Sequence, residues 1–184
     1  MKQIRVKSIM VPLEEYATVH EDDSLIDAVN ALDKAQKDHD TRHYKHRAIL
    51  VYNSNEKIVG KLSQLDVIKS LEPRYESFGN IRSISLSGLS PEFVKSMMEK
   101  HKLWQGDLNV MCKRVVTQKV KEIMYTPTEG EKIEDGATLG EALHIFVVGH
   151  HQSLLVTREE EIVGILRLVD AFRLVSESIK TCGT

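Results

Sequence analysis

Cysteine is almost absent from this chain of 184 residues, and what there is does not pair. Cys112 and Cys182 lie far apart and form no CxxC motif, so neither a disulfide framework nor a zinc site is suggested. A reducing cytoplasm is the simplest setting. Long apolar runs are missing too: Ala48–Tyr52 and Leu143–Val148 are the longest candidates. Both fall far short of the roughly 20 residues a membrane-spanning helix needs. Met1 to Met10 holds basic residues but no continuous apolar stretch, so no secretory leader is read there. The glycines are scattered, with neither a Walker loop nor a Gly-x-Gly-x-x-Gly fingerprint. No Gly-x-Ser-x-Gly elbow occurs, and no cysteine has a catalytic context. Carboxylates abound, but no pair sits where burial would split their pKa values, so the chain reads as non-enzymatic. Net charge is −2, so nothing global demands nucleic acid or an anionic membrane. An apolar share of 41% with 28% charged residues is ordinary for a globular protein.

What the chain does have is a repeat. Val6-Lys7-Ser8-Ile9-Met10 returns as Val120-Lys121-Glu122-Ile123-Met124, and Ser24-Leu25 with Ala28 returns as Thr138-Leu139 with Ala142. Val59-Gly60, Leu62 and Asp66 return as Val163-Gly164, Leu166 and Asp170. One deletion of about ten residues inside the second copy aligns all three matches. Repeats in this order are one structural unit used twice, and two like units commonly bury their cores against each other, leaving a cleft between them.

Each copy reads as β-α-β-β-α. In the first, Thr18-Val19 starts a strand and Ser24 caps a helix whose first turn follows Glu21, Asp22 and Asp23. Leu25, Ala28, Val29, Leu32 and Ala35 then form one apolar helical stripe. Ala48–Tyr52 is an unbroken run suited to a strand buried on both faces, and Asn53-Ser54-Asn55-Glu56 turns it into Ile58–Leu62. A second helix opens at Ser63–Asp66 and stops before Pro73. The second copy offers the stripe Leu139, Ala142, Leu143, Phe146, then a hairpin of Leu154–Val156 and Ile162–Leu166 turning at Arg158–Glu161. Its last helix runs from Asp170 to about Ile179, with Ala171, Leu174, Val175 and Ser178 on one side.

The division is therefore repeat 1 at 1–73, a helical insert at 74–119 and repeat 2 at 120–184, the two repeats making one α+β module with pseudo-two-fold symmetry. The insert is basic, with eight Lys/Arg against four Asp/Glu. Ser90-Pro91-Glu92 starts a helix in it that continues to about Leu103. Its aromatics are few, so nucleic-acid binding is not indicated; Phe93, Val94, Met97 and Met98 instead read as an amphipathic face seeking a partner surface, the repeats themselves ahead of a second subunit or another protein. His39, His43 and His46 fall at i, i+4, i+7 and, on a continuous helix, would share a face as a metal-ligand trio. Arg42, Lys45 and Arg47 crowd that segment with positive charge, which favours a solvated helix end over a divalent cation.

The stretch Val59-Gly60-Lys61-Leu62-Ser63-Gln64-Leu65-Asp66, with an "hxxIM" leader before each copy, resembles a tandem pair of cystathionine-β-synthase (CBS) domains, a Bateman module. The resemblance covers about 6–72 and 120–180. A helix-opening Asp preceded by a hydroxyl holds a carboxylate against backbone N–H groups, a geometry that can accept both hydroxyls of a ribose. The resemblance implies this role for Asp66 with Ser63 in one cleft, with Lys132-Ile133 nearby and His151 facing it. It implies Asp170 for the other cleft, lined by Thr18-Val19, with His46-Arg47 near any phosphates.

The two clefts are unequal. Arg167 stands where the second motif would carry Ser or Thr, and its guanidinium either recognises a phosphate or fills the pocket. Gln152 replaces the base that Arg47 supplies, so the Asp66 cleft suits a ligand with little or no phosphate. The expectation is a regulatory sensor that requires no cofactor, binds an adenosyl ligand (an adenine nucleotide, adenosine or S-adenosylmethionine), dimerises as a four-repeat disc and acts on an unknown protein in trans. The alternatives are an interaction module working through the insert with empty clefts, and a metal sensor using His39, His43 and His46.

Overall fold

The computed structural model describes residues 4–37, 48–78 and 88–182. A leader turn at Val6–Ser8 runs into the short strand β1 (Val11–Pro12). The first repeat follows as β2 (Thr18–His20), α1 (Leu25–Lys37), β3 (Ala48–Tyr52), β4 (Ile58–Ser63) and α2 (Gln64–Ser70). A 3₁₀ turn at Pro73–Phe78, α3 (Pro91–His101) and α4 (Leu108–Val115) make up the described insert. The second leader is α5 (Val120–Ile123), and the second repeat is β5 (Lys132–Glu134), α6 (Leu139–Gly149), β6 (Ser153–Arg158), β7 (Glu161–Arg167) and α7 (Leu168–Cys182). The β-α-β-β-α plan of both copies is therefore present. The last helix begins two residues earlier and runs further than its apolar stripe predicts.

Within each unit the first strand lies parallel to the second, and the hairpin is antiparallel: Thr18 pairs with Leu50 and Lys132 with Leu155, while Gly60 pairs with Val51 and Gly164 with Val156. Each first helix is capped as its sequence suggests. Ser24 and Asp27 exchange backbone and side-chain bonds, and Thr138 and Glu141 form the matching capping box.

The leaders are exchanged, which the repeat pattern does not reveal. Val6 N–H donates to Ala137 O and Lys7 N–H to Asp135 O, both in the second repeat, while Ile4 O accepts from Leu139 N–H. The mirror set is Val120 to Asp23, Lys121 to Glu21, and Leu25 to Gln118. Beyond the leader, β1 pairs with β7, and Tyr125 pairs with Lys61 of β4. Val6 accordingly sits in the second core with Leu139, Ala142, Phe146, Leu154, Val156 and Leu166. Val120 sits in the first core with Leu25, Ala28, Leu32, Ile49, Val51 and Leu62.

This exchange gives the motif glycines their reason. A Cβ on Gly164 would stand 2.5 Å from Val11 O, and one on Gly60 would stand 2.5 Å from Met124 Sδ and 3.2 Å from Tyr125 O. Only a residue without Cβ lets the foreign leader strand lie this close.

The two sheets face each other across a third cluster of Tyr16, Leu50, Leu155 and Ile165. β3 is thus buried on both faces, Leu50 toward the other sheet and Ile49 and Val51 toward the helices, as its unbroken apolar run predicts. Side chains of this size contribute about 1.5–3 kcal/mol each when fully buried. The insert packs through Leu103, Met111 and Val115, whereas α3 has no buried residue, so the expectation that its Met/Phe face is covered by the repeats is not met. α3 starts at the expected Ser90 cap, which accepts from Phe93 N–H, and ends with Lys102 in a left-handed conformation (φ 52°).

Candidate functional site

The end of β4 and the start of α2 hold the first site residue in a closed local loop. Ser63 N–H and Ser63 Oγ donate to Asp66 Oδ2 at 2.8 and 2.6 Å, and Asp66 N–H returns a bond to Ser63 Oγ at 3.3 Å. All of these capping bonds to the carboxylate fall on Oδ2, and Oδ1 has no partner among the described residues. The carboxylate borders a depression lined also by Lys69, Ser70, Tyr75, Glu76, Glu122, Ile123 and Met124. One wall is therefore α2 of the first repeat, another the exchanged leader of the second, and a third the 3₁₀ turn that opens the insert. The formal charge of that lining is negative: Asp66, Glu76 and Glu122 outnumber Lys69.

On the neighbouring face of β4 a charged network ties the repeats together. Lys61 Nζ donates to Glu131 Oε2 at 2.7 Å, Tyr125 OH donates to Glu131 Oε1, and His151 Nδ1 lies 4.0 Å from Glu131 Oε2. Glu131 is buried. Burial alone would raise its pKa, but hydrogen bonds from Lys61 and Tyr125, with the nearby charge of Lys61, outweigh this and hold the carboxyl below its usual range. The His151 ring lies so close to Gly149 that a Cβ there would be 2.0 Å from Nε2. The structure thus brings His151 to Glu131, which in turn bonds Lys61 of the strand that carries Ser63. Lys132 turns instead to Glu129 at 2.6 Å, and Ile133 is seated in the second core.

The other half differs in kind. Arg167 Nε donates to Asp170 Oδ2 at 2.5 Å and Arg167 Nη2 to Asp170 Oδ1 at 2.8 Å, with both side chains buried. This bidentate pair engages both carboxylate oxygens, the stronger form of charged hydrogen bonding. Tyr16 stands close by; burial pushes its hydroxyl up to about 12, the Arg167 charge pulling against this and the Asp170 charge adding to it. Thr18 is exposed and Val19 lies in the first core. His46 and Arg47 lie outside the described residues, as do His39 and His43. Among the described residues no group of three or more His, Cys, Asp or Glu is arranged to hold a metal ion. At the positions equivalent to Lys61, Tyr125 and Glu131 stand Ile165, Val11 and Ala17, so one half of the inter-repeat layer is polar and the other apolar.

Sequence reasoning missed Lys61, Tyr125 and Glu131, and missed most of the depression's lining. The repeated leader could have flagged Ile123 and Met124. Tyr75 and Glu76 had no signal, since the insert has no counterpart in the other copy.

The CBS domain profile matches residues 6–73 and 120–177. Among curated proteins none matches the chain by sequence. A CBS domain-containing protein of unknown function from Bacillus anthracis shares 18% identity over 96% of this chain and 95% of its own, with a TM-score of 0.64. The CBS domain of a CBS domain-containing membrane protein from Sphaerobacter thermophilus aligns at 17% identity over 94% of this chain and 88% of its own, TM-score 0.60. The protein CBSX2, solved in complex with AMP, aligns at 16% identity over 95% and 97%, TM-score 0.58. With both repeats matched and the fold shared, the chain belongs to the CBS-domain family, as a tandem pair of CBS repeats.

Proposed function

We propose that this CBS pair is a non-enzymatic regulatory sensor that takes one adenosyl ligand in the Asp66 cleft. The observation that carries the reading is the asymmetry of the two aspartates. Asp66 keeps one carboxylate oxygen clear of its capping bonds, while both oxygens of Asp170 are engaged by Arg167. A ribose at Asp170 would have to displace a buried bidentate pair, whereas at Asp66 it would find an acceptor already held in place.

The surplus of carboxylates around Asp66 favours adenosine or a cationic S-adenosyl compound over a polyphosphate. The AMP complex of CBSX2 supports the adenosyl class. Binding between α2 and the exchanged leader would favour the arrangement of repeats that grips the ligand.

Dimerisation belongs to the same reading. Ile68 on α2 and Phe172 on α7 occupy equivalent positions in the two repeats and are both exposed, at 50% and 59%, as a surface shared by both halves of a four-repeat disc would be. Light scattering should give a dimer that Phe172→Asp dissociates; an unchanged dimer would remove this surface from the interface.

A thermal-shift screen with AMP, ADP, ATP, adenosine, S-adenosylmethionine and NAD tests the ligand. At a concentration 100-fold above its dissociation constant a ligand stabilises by about 2.7 kcal/mol. That shift should vanish in Asp66→Ala and persist in Asp170→Ala. A shift with none of these compounds would move the search to protein partners of the insert.

A further inference from the structure

We infer that the helix α3 and the turn after it report the occupancy of the Asp66 cleft through Tyr75; this rests on the cleft being the ligand site proposed above. Tyr75 belongs to two structures at once. It is one of the residues lining the cleft, and its hydroxyl accepts a hydrogen bond from Trp104 Nε1 at 2.9 Å. Trp104 itself is not among the lining residues.

The segment around Tyr75 clamps the turn that ends α3. Buried Glu72 accepts from Trp104 N–H at 2.9 Å and from Arg74 Nε at 2.8 Å, and Arg74 Nη1 reaches His101 O at 3.1 Å and also Lys102 O. Phe78 meets the His101 ring edge-on at 4.5 Å. Lys102 and Trp104 hold left-handed conformations, φ 52° and 59°, which bulky residues adopt only when their surroundings fix them. With no buried residue of its own, α3 takes its position from these contacts and from Leu103 rather than from a core. A ligand that moves the Tyr75 ring therefore shifts the bond that locates Trp104, and α3 is the element free to follow. This is differential contact with a held turn, the requirement for any ligand-driven shift.

The chain contains a single tryptophan, so Trp104 is its own probe. The full-length protein is titrated with adenosine and with S-adenosylmethionine while binding heat and Trp104 emission are recorded in parallel, exciting beyond the adenine absorption. Emission should change with the same midpoint as the heat, and hydrogen exchange of α3 amides should change with it. Tyr75→Phe keeps the ring and loses the hydroxyl. At ligand concentrations that saturate its own binding heat, it should lose most of the emission change. Heat that saturates with a flat emission in the parent overturns the inference and leaves the cleft assignment standing. So does a Tyr75→Phe variant that retains the full emission response. Absence of heat with both compounds contradicts the site itself, and the readout falls with it.

Discussion

Glu72→Gln should destabilise this protein out of proportion to its chemistry. In the parent the two carboxylate oxygens serve different donors, Oε1 taking Arg74 Nε and Oε2 taking Trp104 N–H. Burial opposes the charge, but bonds from the Trp104 and Arg74 backbone and from the Arg74 guanidinium hold the carboxyl below its usual range. An amide has only one acceptor oxygen, so its NH₂ must face one of these donors.

The Arg74 side chain is 46% exposed, so its lost attraction is discounted to about 1 kcal/mol. The stranded Trp104 N–H adds about 1–2 kcal/mol. The sum, about 2–3 kcal/mol, corresponds to roughly 5–10 °C in Tm for a protein of this size. Glu72→Ala, which also leaves a void, should lose somewhat more. Urea unfolding followed by far-UV circular dichroism gives the global effect, and Trp104 emission gives the local one. The control is Glu99→Ala, whose exposed pair with Lys95 at 3.9 Å should matter by less than about 1 kcal/mol. A Glu72→Gln variant with the parent's Tm and emission would refute the claim that this carboxylate holds the insert.

Three further outcomes follow from the same geometry. Gly164→Ala places a Cβ against the Val11 carbonyl and should cost about 1–3 kcal/mol in denaturant unfolding, more than Gly60→Ala, whose closest neighbour is the flexible Met124 thioether. On acidification, Glu131 and Glu72 both have folded values below the ordinary 4.5. Their contribution is therefore complete above pH 4.5 and is lost as pH falls further, so Tm should be level down to that point and then drop, less steeply in Glu131→Gln. In competition binding, ATP should be at least about tenfold weaker than adenosine, the gap closing at high salt, because added phosphate charge meets Asp66, Glu76 and Glu122.

Local features of this fold were readable from the chain because each is set within a few residues. Ser24, Ser63, Ser90 and Thr138 act as the caps their spacing suggests, and Ala48–Tyr52 is the doubly buried strand its composition implies. The repeat gave the two units and the Asp66 and Asp170 motifs. What escaped depends on contacts between distant segments. Nothing in Val6–Met10 says that it packs in the second unit, because an apolar residue at a repeated position fits either core equally. The Lys61–Glu131 bond joins β4 of one repeat to the turn before β5 of the other, and no local pattern announces a contact across that separation. Arg167 was visible as a departure from the motif, but its bidentate pairing with Asp170 appears only when both are seen buried together. The basic insert gave up its helix start, though not its anchorage on Glu72, which lies just before it in sequence and bonds Trp104 far along the chain.

The decisive measurement is the stoichiometry of adenosyl-ligand binding by titration calorimetry, on the parent, Asp66→Ala and Asp170→Ala. The asymmetric pair should bind one ligand per chain, with the heat lost in Asp66→Ala and kept in Asp170→Ala. Two ligands per chain, or binding that survives Asp66→Ala and disappears in Asp170→Ala, would contradict the assignment of the working cleft.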